Sequence, residues 1–245
     1  MDESPVQAIV LAAGLGSRLG SFTAERSKAL LDLGGRSLLQ RAVDFAAALG
    51  ARDIVVVGGY RIEQLRAVVA ALHAPRIRLV ENRRYDAGNL VSLLAALPLV
   101  RGPFYLTNVD HVFSAAAAPR ILSHIGDDVT AFCEFARVPD ADEMKVALDA
   151  HGRVRDIAKT LADFDGAYSG LTHVPQARLP DYRAAVDRTR ERVGDTAVAE
   201  QVLQTLAGQG SRVRAASLDG IAWCEIDTPR DYRRAQAMLA GGDIG

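Results

Sequence analysis

The sequence predicts an α/β fold: a doubly wound, mostly parallel mixed sheet with helices on both faces and a smaller β-rich part. Strand-like and helix-like segments alternate through the first half of the chain, as they do where helices connect parallel strands. Polar stretches follow several of these strands, a pattern typical of ligand sites at the carboxyl edge of such a sheet. With 245 residues, the chain has the length of one large domain or two small ones.

The first half contains four strand-like segments, each followed by a glycine-rich or polar stretch. Apolar residues at helical spacing between these segments predict the covering helices. Because the carboxyl ends of parallel strands meet at one edge, we expect the polar stretches to converge there. The predicted strands are 8–11, 53–57, 76–80 and 103–107, the predicted helices are 38–49, 62–72 and 90–97, and the stretches expected at the edge are 14–20, 58–60, 81–89 and Asp110.

The second half is richer in strands, and residues 149–153 form a turn between two hairpin-like partners. Pro229 suits the first turn of a terminal helix. No repeat and no low-complexity linker divides the chain, so we expect a single domain, 1–245, made of the halves 1–127 and 128–245. The predicted strands are 128–137, 144–149, 155–159, 167–174 and a last pair at 213–217 and 221–226, and the predicted helices are 180–191 and 195–207.

The loop after the first strand has the composition of a phosphate-binding corner. Gly14, Gly16 and Gly20 let main-chain N–H groups approach an anion closely, because no Cβ intervenes. Arg18 and Lys28 supply positive charge nearby. The spacing excludes a P-loop, which needs Lys-Ser/Thr after its last glycine, and the G-x-G-x-x-G dinucleotide motif. Glycine-rich turns are common after strands, so a purely structural loop is the alternative.

Composition excludes several classes of protein. Hydrophobic residues make up 49% of the chain, charged residues 24%, and the net charge is −1, so there is no global basic field for nucleic acid. Cys133 and Cys224 lack the C-x-x-C spacing of a zinc site. No apolar run approaches the ~20 residues of a membrane span, and residues 1–5 lack the features of a signal peptide. We therefore expect a cytoplasmic protein without membrane insertion or nucleic-acid binding.

Three carboxylates near strand ends form a candidate metal site. Asp110 follows the fourth strand, and Glu225 and Asp227 alternate on the last one, so their side chains point to the same face. Magnesium prefers oxygen ligands, usually one or two carboxylates together with waters and substrate phosphates. The three residues therefore predict a Mg²⁺ site. The alternative for Asp227 is the N-cap of the terminal helix.

Lysines and histidines give weaker signals than the carboxylates. Lys145 and Lys159 lie in strand-like surroundings, but most lysines are solvated surface charges. His111 follows Asp110 directly, and we expect it to be structural, as lone histidines usually are. The remaining histidines show no metal-ligand spacing; they are His73, His124, His151 and His173.

The segment LAAGLGSRLG, followed by SKALLDLGG, resembles the signature of the nucleotidyltransferase superfamily, of the MobA-like and sugar-phosphate NTP transferase type. Ser27 stands where that signature usually has proline. Residues 81–93, 110–113 and 224–232 are similar to cytidylyltransferases that act on inositol-1-phosphate, phosphocholine or aminoethylphosphonate. The resemblance covers nearly the whole chain and implies a Rossmann-like, GT-A-like nucleotidyltransferase fold.

The resemblance implies a Mg²⁺-dependent transfer of a cytidylyl group from CTP to a small phosphorylated alcohol or phosphonate, with release of pyrophosphate. It places the nucleotide in the half 1–127, and the acceptor and the carboxyl-terminal metal ligands in the half 128–245. It implies catalytic roles for Arg18, Lys28 and Lys159, and Mg²⁺ ligation by Asp110, Asp227 and Glu225. The acceptor contacts that it implies are Lys145, Lys159, Ser169 and Gly170. The nucleotide contacts that it implies are Arg18, Lys28, Leu11, Ala12, Ala13, Gly14, Gly16, Ser17, Gly59, Tyr60, Asn82, Asn89 and Ser92.

Two alternative functions stay open. A sugar-1-phosphate nucleotidyltransferase that uses another nucleoside triphosphate would share the fold, although the Gly-Thr-Ala sequence usual in sugar thymidylyl- and uridylyltransferases is absent here. A non-catalytic nucleotide sensor would need no pair of metal carboxylates. Residues 160–200 should line the acceptor pocket but do not identify the acceptor, and a homodimer stays open.

Overall fold

The computed structural model describes residues 6–72 and 76–244. Residues 1–5, on which the expectation about a signal peptide depends, and His73 lie outside the described residues. In the first half, the helices and strands are β1 (Gln7–Ala12), β2 (Asp32–Leu33), β3 (Arg36–Ser37), α1 (Leu38–Ala48), β4 (Asp53–Gly58), α2 (Ile62–Ala71), β5 (Arg76–Glu81), α3 (Leu90–Ala96), β6 (Phe104–Asn108), β7 (His111–Phe113) and α4 (Ala117–Leu122).

The second half adds six strands and three helices to the described part of the chain. They are β8 (Val129–Glu134), β9 (Lys145–Leu148), β10 (Val154–Ala158), β11 (Gly166–Val174), α5 (Leu179–Val193), α6 (Gln201–Gly208), β12 (Val213–Ser217), β13 (Trp223–Glu225) and α7 (Pro229–Ala240). Within residues 6–72 and 76–244, no helix is both long enough and apolar enough to cross a membrane.

A mixed, nine-stranded sheet organises the described residues, as the sequence predicts. Its main path runs β10-β9-β11-β6-β1-β4-β5, with β8 paired to β11 and β12 paired to β8. Strands β5, β4, β1 and β6 are mutually parallel, whereas β11 runs antiparallel to β6. Two small ribbons, β13-β7 and β2-β3, lie outside this sheet.

The sheet separates two hydrophobic cores. Along β1, Ala8, Val10 and Ala12 face one core, while Ile9 and Leu11 face the other. Side chains alternate between the faces of a strand, so a strand covered on both faces has to be apolar throughout, which is why β1 and β4 read as continuous apolar runs.

The structure differs from the sequence prediction in five elements. Strand β7 and helix α4 were not expected, and the last two strands do not pair with each other, because β12 joins β8 and β13 joins β7. Helix α6 begins at Gln201 rather than at 195. The preceding segment is bound to the loop before α3: Gly88 N–H donates to the Asp195 carbonyl (2.8 Å) and Leu90 N–H to the Ala197 carbonyl (3.1 Å). Gly194–Thr196 form a single 3-10 turn, and the α-helix begins only at Gln201.

Candidate active site

A cavity of about 370 Å³ opens at the carboxyl edge of β1 and β6. The parallel pairing of β5, β4, β1 and β6 brings their carboxyl ends to this edge, as doubly wound sheets do. The loop 11–18, Lys28 and the segment 108–111 line the cavity from the first half, and Glu225 and Asp227 line it from the second. The two halves of the chain therefore meet in one site.

The glycine-rich loop turns at Gly16, whose φ of +63° favours glycine. A Cβ on Gly16 would lie 3.0 Å from Cβ of Lys28 and 3.2 Å from Cγ2 of Thr23. Thr23 Oγ1 donates a hydrogen bond to the Gly16 carbonyl (2.9 Å). A side chain at this position would push the loop away from Lys28, so the loop both lines the cavity and holds that lysine in place.

Lys28 lies between two carboxylates at the floor of the cavity. Its Nζ is 2.5 Å from Oδ2 of Asp110 and 2.6 Å from Oδ1 of Asp227, and the residue is buried. Burial lowers the pKa of Lys28, but the charges of Asp110 and Asp227 outweigh it and raise the pKa above its ordinary value. Burial also raises the pKa of Asp110, yet Lys28 and His111 lower it by more. The lysine is thus charged and the aspartate ionised.

Arg18 lies at the cavity mouth with half of its side chain exposed. Its guanidinium pairs with Asp227, and its Nη1 lies 3.4 Å from Oδ2 of Asp142, an exposed residue of the second half. The pair with Asp142 is exposed on both sides, and an exposed ion pair of this kind contributes little stability. The guanidinium can therefore exchange these carboxylates for a phosphate at small cost.

Glu225 and His111 face each other across the β13-β7 ribbon, and with Asp110 they place one ligand atom each within 4.8 Å of one another. Burial raises the pKa of Glu225 to about 7; Asp110 and Asp227 add to this effect, while His111 opposes it. Asp227 titrates lower than an ordinary aspartate, because Lys28 overcomes its burial. Glu225 therefore holds its proton to a higher pH than the two neighbouring aspartates, whose pKa values are lowered.

The donor set of this site fits a divalent cation such as Mg²⁺. Among the described residues that line the cavity, carboxyl groups outnumber lysine and arginine side chains by six to three. Added positive charge in this site would favour the entry of a polyphosphate. Asp110, Asp227 and Glu225 offer the oxygen ligands that Mg²⁺ prefers. The six are Asp110, Asp142, Glu143, Glu200, Glu225 and Asp227, and the three are Arg18, Lys28 and Lys159.

Asp227 is not the N-cap of the terminal helix. Thr228 takes that position: its Oγ1 accepts from the N–H of Asp231, and the Asp231 carboxylate accepts from the N–H of Thr228, which is a reciprocal capping box. The capping alternative for Asp227 is therefore wrong. Its carboxylate instead faces Lys28 and Arg18.

His111 is more closely tied to the site than the sequence indicates. Its Nδ1 is 2.9 Å from Oδ1 of Asp110, and its ring stacks on Trp223 with centroids 5.9 Å apart. A Cβ on Gly170 would lie 2.3 Å from Nε2 of His111, so only glycine leaves room for the ring. Burial lowers the pKa of His111, but the hydrogen bond to Asp110 and the charge of Glu225 raise it to about 9. The ring thus fixes the orientation of Asp110.

Asn89 and Ser92 line the cavity at the start of α3. Asn82 Nδ2 donates to Ser92 Oγ (2.9 Å), and Asn89 Oδ1 accepts from the N–H of Ala199 (2.7 Å). Asn82 therefore lies behind Ser92. The side chain of Asn89 joins α3 to the segment before α6.

Gly59 and Tyr60 support the glycine-rich loop from outside the cavity lining. The N–H of Tyr60 donates to the Ala13 carbonyl (3.0 Å). A Cβ on Gly59 would lie 2.9 Å from Cβ of Ala13 and 2.5 Å from Cβ of Tyr85. Leu11, Ala12, Ala13, Gly14, Gly16 and Ser17, the other loop residues expected at the nucleotide, all line the cavity.

Two of the four residues expected at the acceptor do not line the cavity. Lys145 is buried, and its ammonium donates to the carbonyls of Ala141 (3.0 Å) and Lys159 (2.8 Å), which ties the 137–145 loop to β10. Ser169 is buried, and its Oγ donates to the Phe132 carbonyl. Lys159 and Gly170 do line the cavity. The distinction depends on side-chain direction, which the strand-like pattern of these segments does not reveal.

Several cavity residues carried no signal in the sequence. They come from four separate loops and strands of the second half and meet only in the folded chain. Glu200 sits in the segment before α6, and Trp223 sits on β13. The full set is Asp142, Glu143, Met144, Tyr168, Val198, Glu200 and Trp223.

Comparison with known proteins places these features in a family. A model of the MobA-like NTP transferase domain matches residues 8–177. The chain is 34% identical over 239 residues to a Bifunctional IPC transferase and DIPP synthase of Rubrobacter xylanophilus, covering 96% of this chain and 52% of that protein. It is 30% identical over 247 residues to a CMP-5'-(3-aminopropyl)phosphonate synthase of Streptomyces rubellomurinus, covering 96% of this chain and 39% of that one.

The fold is also similar to that of solved structures. An inositol-1-phosphate CTP transferase from T. maritima superimposes with a TM-score of 0.81 at 21% identity, covering 98% of both chains. This agreement bears out the predicted Rossmann-like architecture. The chain spans about half the length, or less, of the curated relatives described above.

Proposed function

Because this chain belongs to the family of MobA-like NTP transferase domains, we propose that it transfers a cytidylyl group from CTP to a small phosphorylated alcohol or phosphonate. The observation that carries the proposal is the position of Lys28 between Asp110 and Asp227, beside the glycine-rich loop. Relatives named for CMP-phosphonate synthesis and IPC transfer support the choice of nucleotide.

The reaction needs no covalent intermediate on the protein. An oxygen of the acceptor's phosphate or phosphonate attacks the α-phosphorus of CTP, and a new P–O bond forms while the bond to the bridging oxygen breaks. Pyrophosphate leaves with that electron pair. Catalysis then consists of aligning the reactants and neutralising their charge.

The residues of the cavity divide this work between them. The main chain of 13–17 lies against the triphosphate, Lys28 neutralises charge at the α-phosphate, and Arg18 releases Asp227 and Asp142 to hold the leaving phosphates. Lys159, exposed at the other side of the cavity, meets the acceptor's anionic group. Asn89 and Ser92 contact the nucleoside.

Asp110 and Asp227 would hold the Mg²⁺ ion, with Glu225 beside them. A bound Mg²⁺ supplies positive charge to the phosphate oxygens and polarises them as a Lewis acid. His111 keeps Asp110 oriented for this role through the Nδ1 contact. Because the carboxylates already surround the ammonium of Lys28, the protein brings fixed positive and negative groups to the same end of the cavity.

Pyrophosphate release tests the proposal directly. The full chain is incubated with Mg²⁺ and CTP, UTP, GTP or ATP, each with inositol-1-phosphate, phosphocholine, an aminoalkylphosphonate or a sugar-1-phosphate. We expect release with CTP and one of the first three acceptors, and its loss in Asp110→Asn. Release with UTP and a sugar-1-phosphate would replace the proposal by a sugar nucleotidyltransferase. Nucleotide binding without release under every condition would favour a sensor.

A further inference from the structure

A second concave site shares no lining residue with the active-site cavity. Strand β8 is antiparallel to β11, and β11 is antiparallel to β6, so β8 and its parallel neighbour β12 run in the same direction as β6. Their amino-terminal ends therefore lie at the edge opposite the cavity described above. A cleft of about 420 Å³ opens there, between β12 and the turn that joins β9 to β10.

Arginines dominate the lining of this cleft. Arg153 comes from the β9-β10 turn, Arg212 and Arg214 come from the start of β12, and His151 lies beside them. We call this site the arginine cleft. It also contains one carboxylate, that of Asp128.

Two acidic groups near the arginine cleft have other partners. Asp128 Oδ1 lies 3.0 Å from Nη2 of Arg178, outside the cleft. Asp149 lies in the turn, and its Oδ1 accepts from the main-chain N–H groups of His151 (2.8 Å) and Arg153 (2.9 Å). Within the described ranges, none of the three cleft arginines forms an ion pair with a carboxylate.

Two of the arginines lie opposite each other in a main-chain bridge. Arg153 and Arg214 form an isolated antiparallel bridge, a geometry in which like charges repel and destabilise the pair. Arg214 donates a hydrogen bond from Nη1 to the His124 carbonyl (3.0 Å), which places the guanidinium near Gly126. An anion between the two guanidinium groups would remove this repulsion.

We propose that the arginine cleft binds a phosphate-bearing anion. Guanidinium groups match phosphate oxygens in geometry and form the stronger, charge-assisted kind of hydrogen bond. The phosphate can belong to a small ion, such as inorganic phosphate or pyrophosphate, or to a lipid headgroup. This site acts independently of the proposed cytidylyl transfer, because none of its residues lines the active-site cavity.

The test compares wild type with Arg153→Gln/Arg214→Gln. The control is Arg66→Gln/Arg155→Gln, which removes the same charge from two exposed arginines outside both sites. Inorganic phosphate and pyrophosphate are titrated calorimetrically, and co-sedimentation is measured with phosphatidylcholine vesicles with and without phosphatidate. We expect the cleft variant, but not the control, to lose affinity about tenfold or more for at least one probe.

The probes identify the source of the phosphate. Calorimetric binding alone assigns a small anion, and binding to the phosphatidate vesicles assigns a lipid headgroup. Equal affinity in the cleft variant and the control, or no binding of wild type to any probe at millimolar concentration, would overturn the proposal. Neither the calorimetric nor the vesicle measurement depends on cytidylyl transfer. The absence of that activity would therefore not change the interpretation of anion binding.

A charge reversal keeps the test decisive if the double variant loses stability. In Arg153→Glu, the carboxylate would face Arg214 across the bridge and replace repulsion by attraction. We expect this variant to unfold at a higher temperature than wild type and to lose anion binding. A lower unfolding temperature together with unchanged anion binding would contradict the assigned role of the bridge.

Discussion

Replacement of Lys28 by methionine tests the charge arrangement at the centre of the site. Methionine retains most of the buried chain and removes the ammonium, so Asp110 and Asp227 lose the cation that lies 2.5 and 2.6 Å away. We expect pyrophosphate release to fall by ~10²-fold or more, which is typical when one preorganised electrostatic group is removed. The same variant should gain a dependence of its stability on Mg²⁺.

The size of the stability change follows from burial. Removing one partner of a fully buried ion pair costs about 3–5 kcal/mol. Here the side chains are only 8% exposed for Lys28 and 16% and 15% exposed for the two aspartates, so water reaches the carboxylates to some extent. We therefore expect about 3 kcal/mol, which corresponds to a fall of about 6–12 °C in Tm for a chain of this length.

The assay is thermal unfolding in EDTA and in Mg²⁺, followed by pyrophosphate release at a temperature where the protein is folded. Magnesium should raise the Tm of Lys28→Met by more than that of wild type, because the uncompensated carboxylates bind a divalent cation more tightly. Lys145→Met is the matched comparison, since Lys145 is equally buried but donates to main-chain carbonyls. It should lose stability without gaining this Mg²⁺ dependence.

Two results would refute this reasoning. Near-normal pyrophosphate release by Lys28→Met would remove the lysine from the catalytic machinery. An equal effect of Mg²⁺ on the Tm of wild type and of both variants would mean that Asp110 and Asp227 do not form the cation site.

Three further predictions follow from other parts of the fold. His111→Ala should lower turnover about tenfold, the value of one charge-assisted hydrogen bond to Asp110, with a smaller change in KM for CTP, and His111→Asn should restore part of it. Gly88→Ala should destabilise the protein by about 2 kcal/mol or more and raise the KM for CTP, because the new Cβ would lie 2.0 Å from the Ala197 carbonyl oxygen. The contribution of His173 to stability should fall by about 2 kcal/mol between pH 7 and pH 5, because burial lowers the pKa of His173 to about 4 while the unfolded chain binds the proton near its ordinary pKa; the difference between the pH profiles of wild type and His173→Phe in chemical denaturation would measure this.

Each of these predictions has an outcome that would contradict it. If turnover fell equally in His111→Ala and His111→Asn, the ring would act by packing rather than by its hydrogen bond to Asp110. An unchanged KM for CTP in Gly88→Ala would separate the segment 195–199 from the nucleotide. For His173 the direction of the pH dependence follows from the pKa shift. Because the pKa is lower in the folded chain than in the unfolded chain, the neutral ring stabilises the fold above the unfolded pKa. This contribution is lost as the pH falls towards the folded pKa. If the stability of His173→Phe depended on pH in the same way as that of wild type, the predicted contribution of His173 would be contradicted.

The fold and the position of the cavity could be predicted from the sequence because both depend on local patterns. Apolar runs identify the buried parallel strands. Because β1 and β6 are parallel, the loop that follows β1 lies at the same edge of the sheet as Asp110, which follows β6. The prediction for α6 failed for a reason outside the local pattern: the residues before it hydrogen-bond to Gly88 and Leu90, more than a hundred positions earlier. Helix propensity carries no information about such contacts.

The acceptor half was harder to predict because the function of a lysine there depends on where its side chain points. Lys145 and Lys159 lie on neighbouring antiparallel strands or just beyond them, and their sequence surroundings are alike. In the structure the ammonium of Lys145 binds the main-chain carbonyl of Lys159, while Lys159 itself reaches the cavity. One lysine thus holds the strand that presents the other.

The charge balance of the site explains why its residues have to be considered together. Lys28 meets partners 82 and 199 positions away, and a glutamate with a pKa raised to about 7 lies next to aspartates whose pKa is lowered. Each carboxylate alone could be a cap or a surface charge, and Asp227 was predicted as either a cap or a ligand. Because Thr228 caps the helix, the carboxylate of Asp227 is not needed there. In the structure it pairs with Lys28 and Arg18 instead. The two aspartates that pair with Lys28 are also the oxygen ligands proposed for the cation, so a cation and a polyphosphate that enter together would give the aspartates and the lysine new partners of opposite charge.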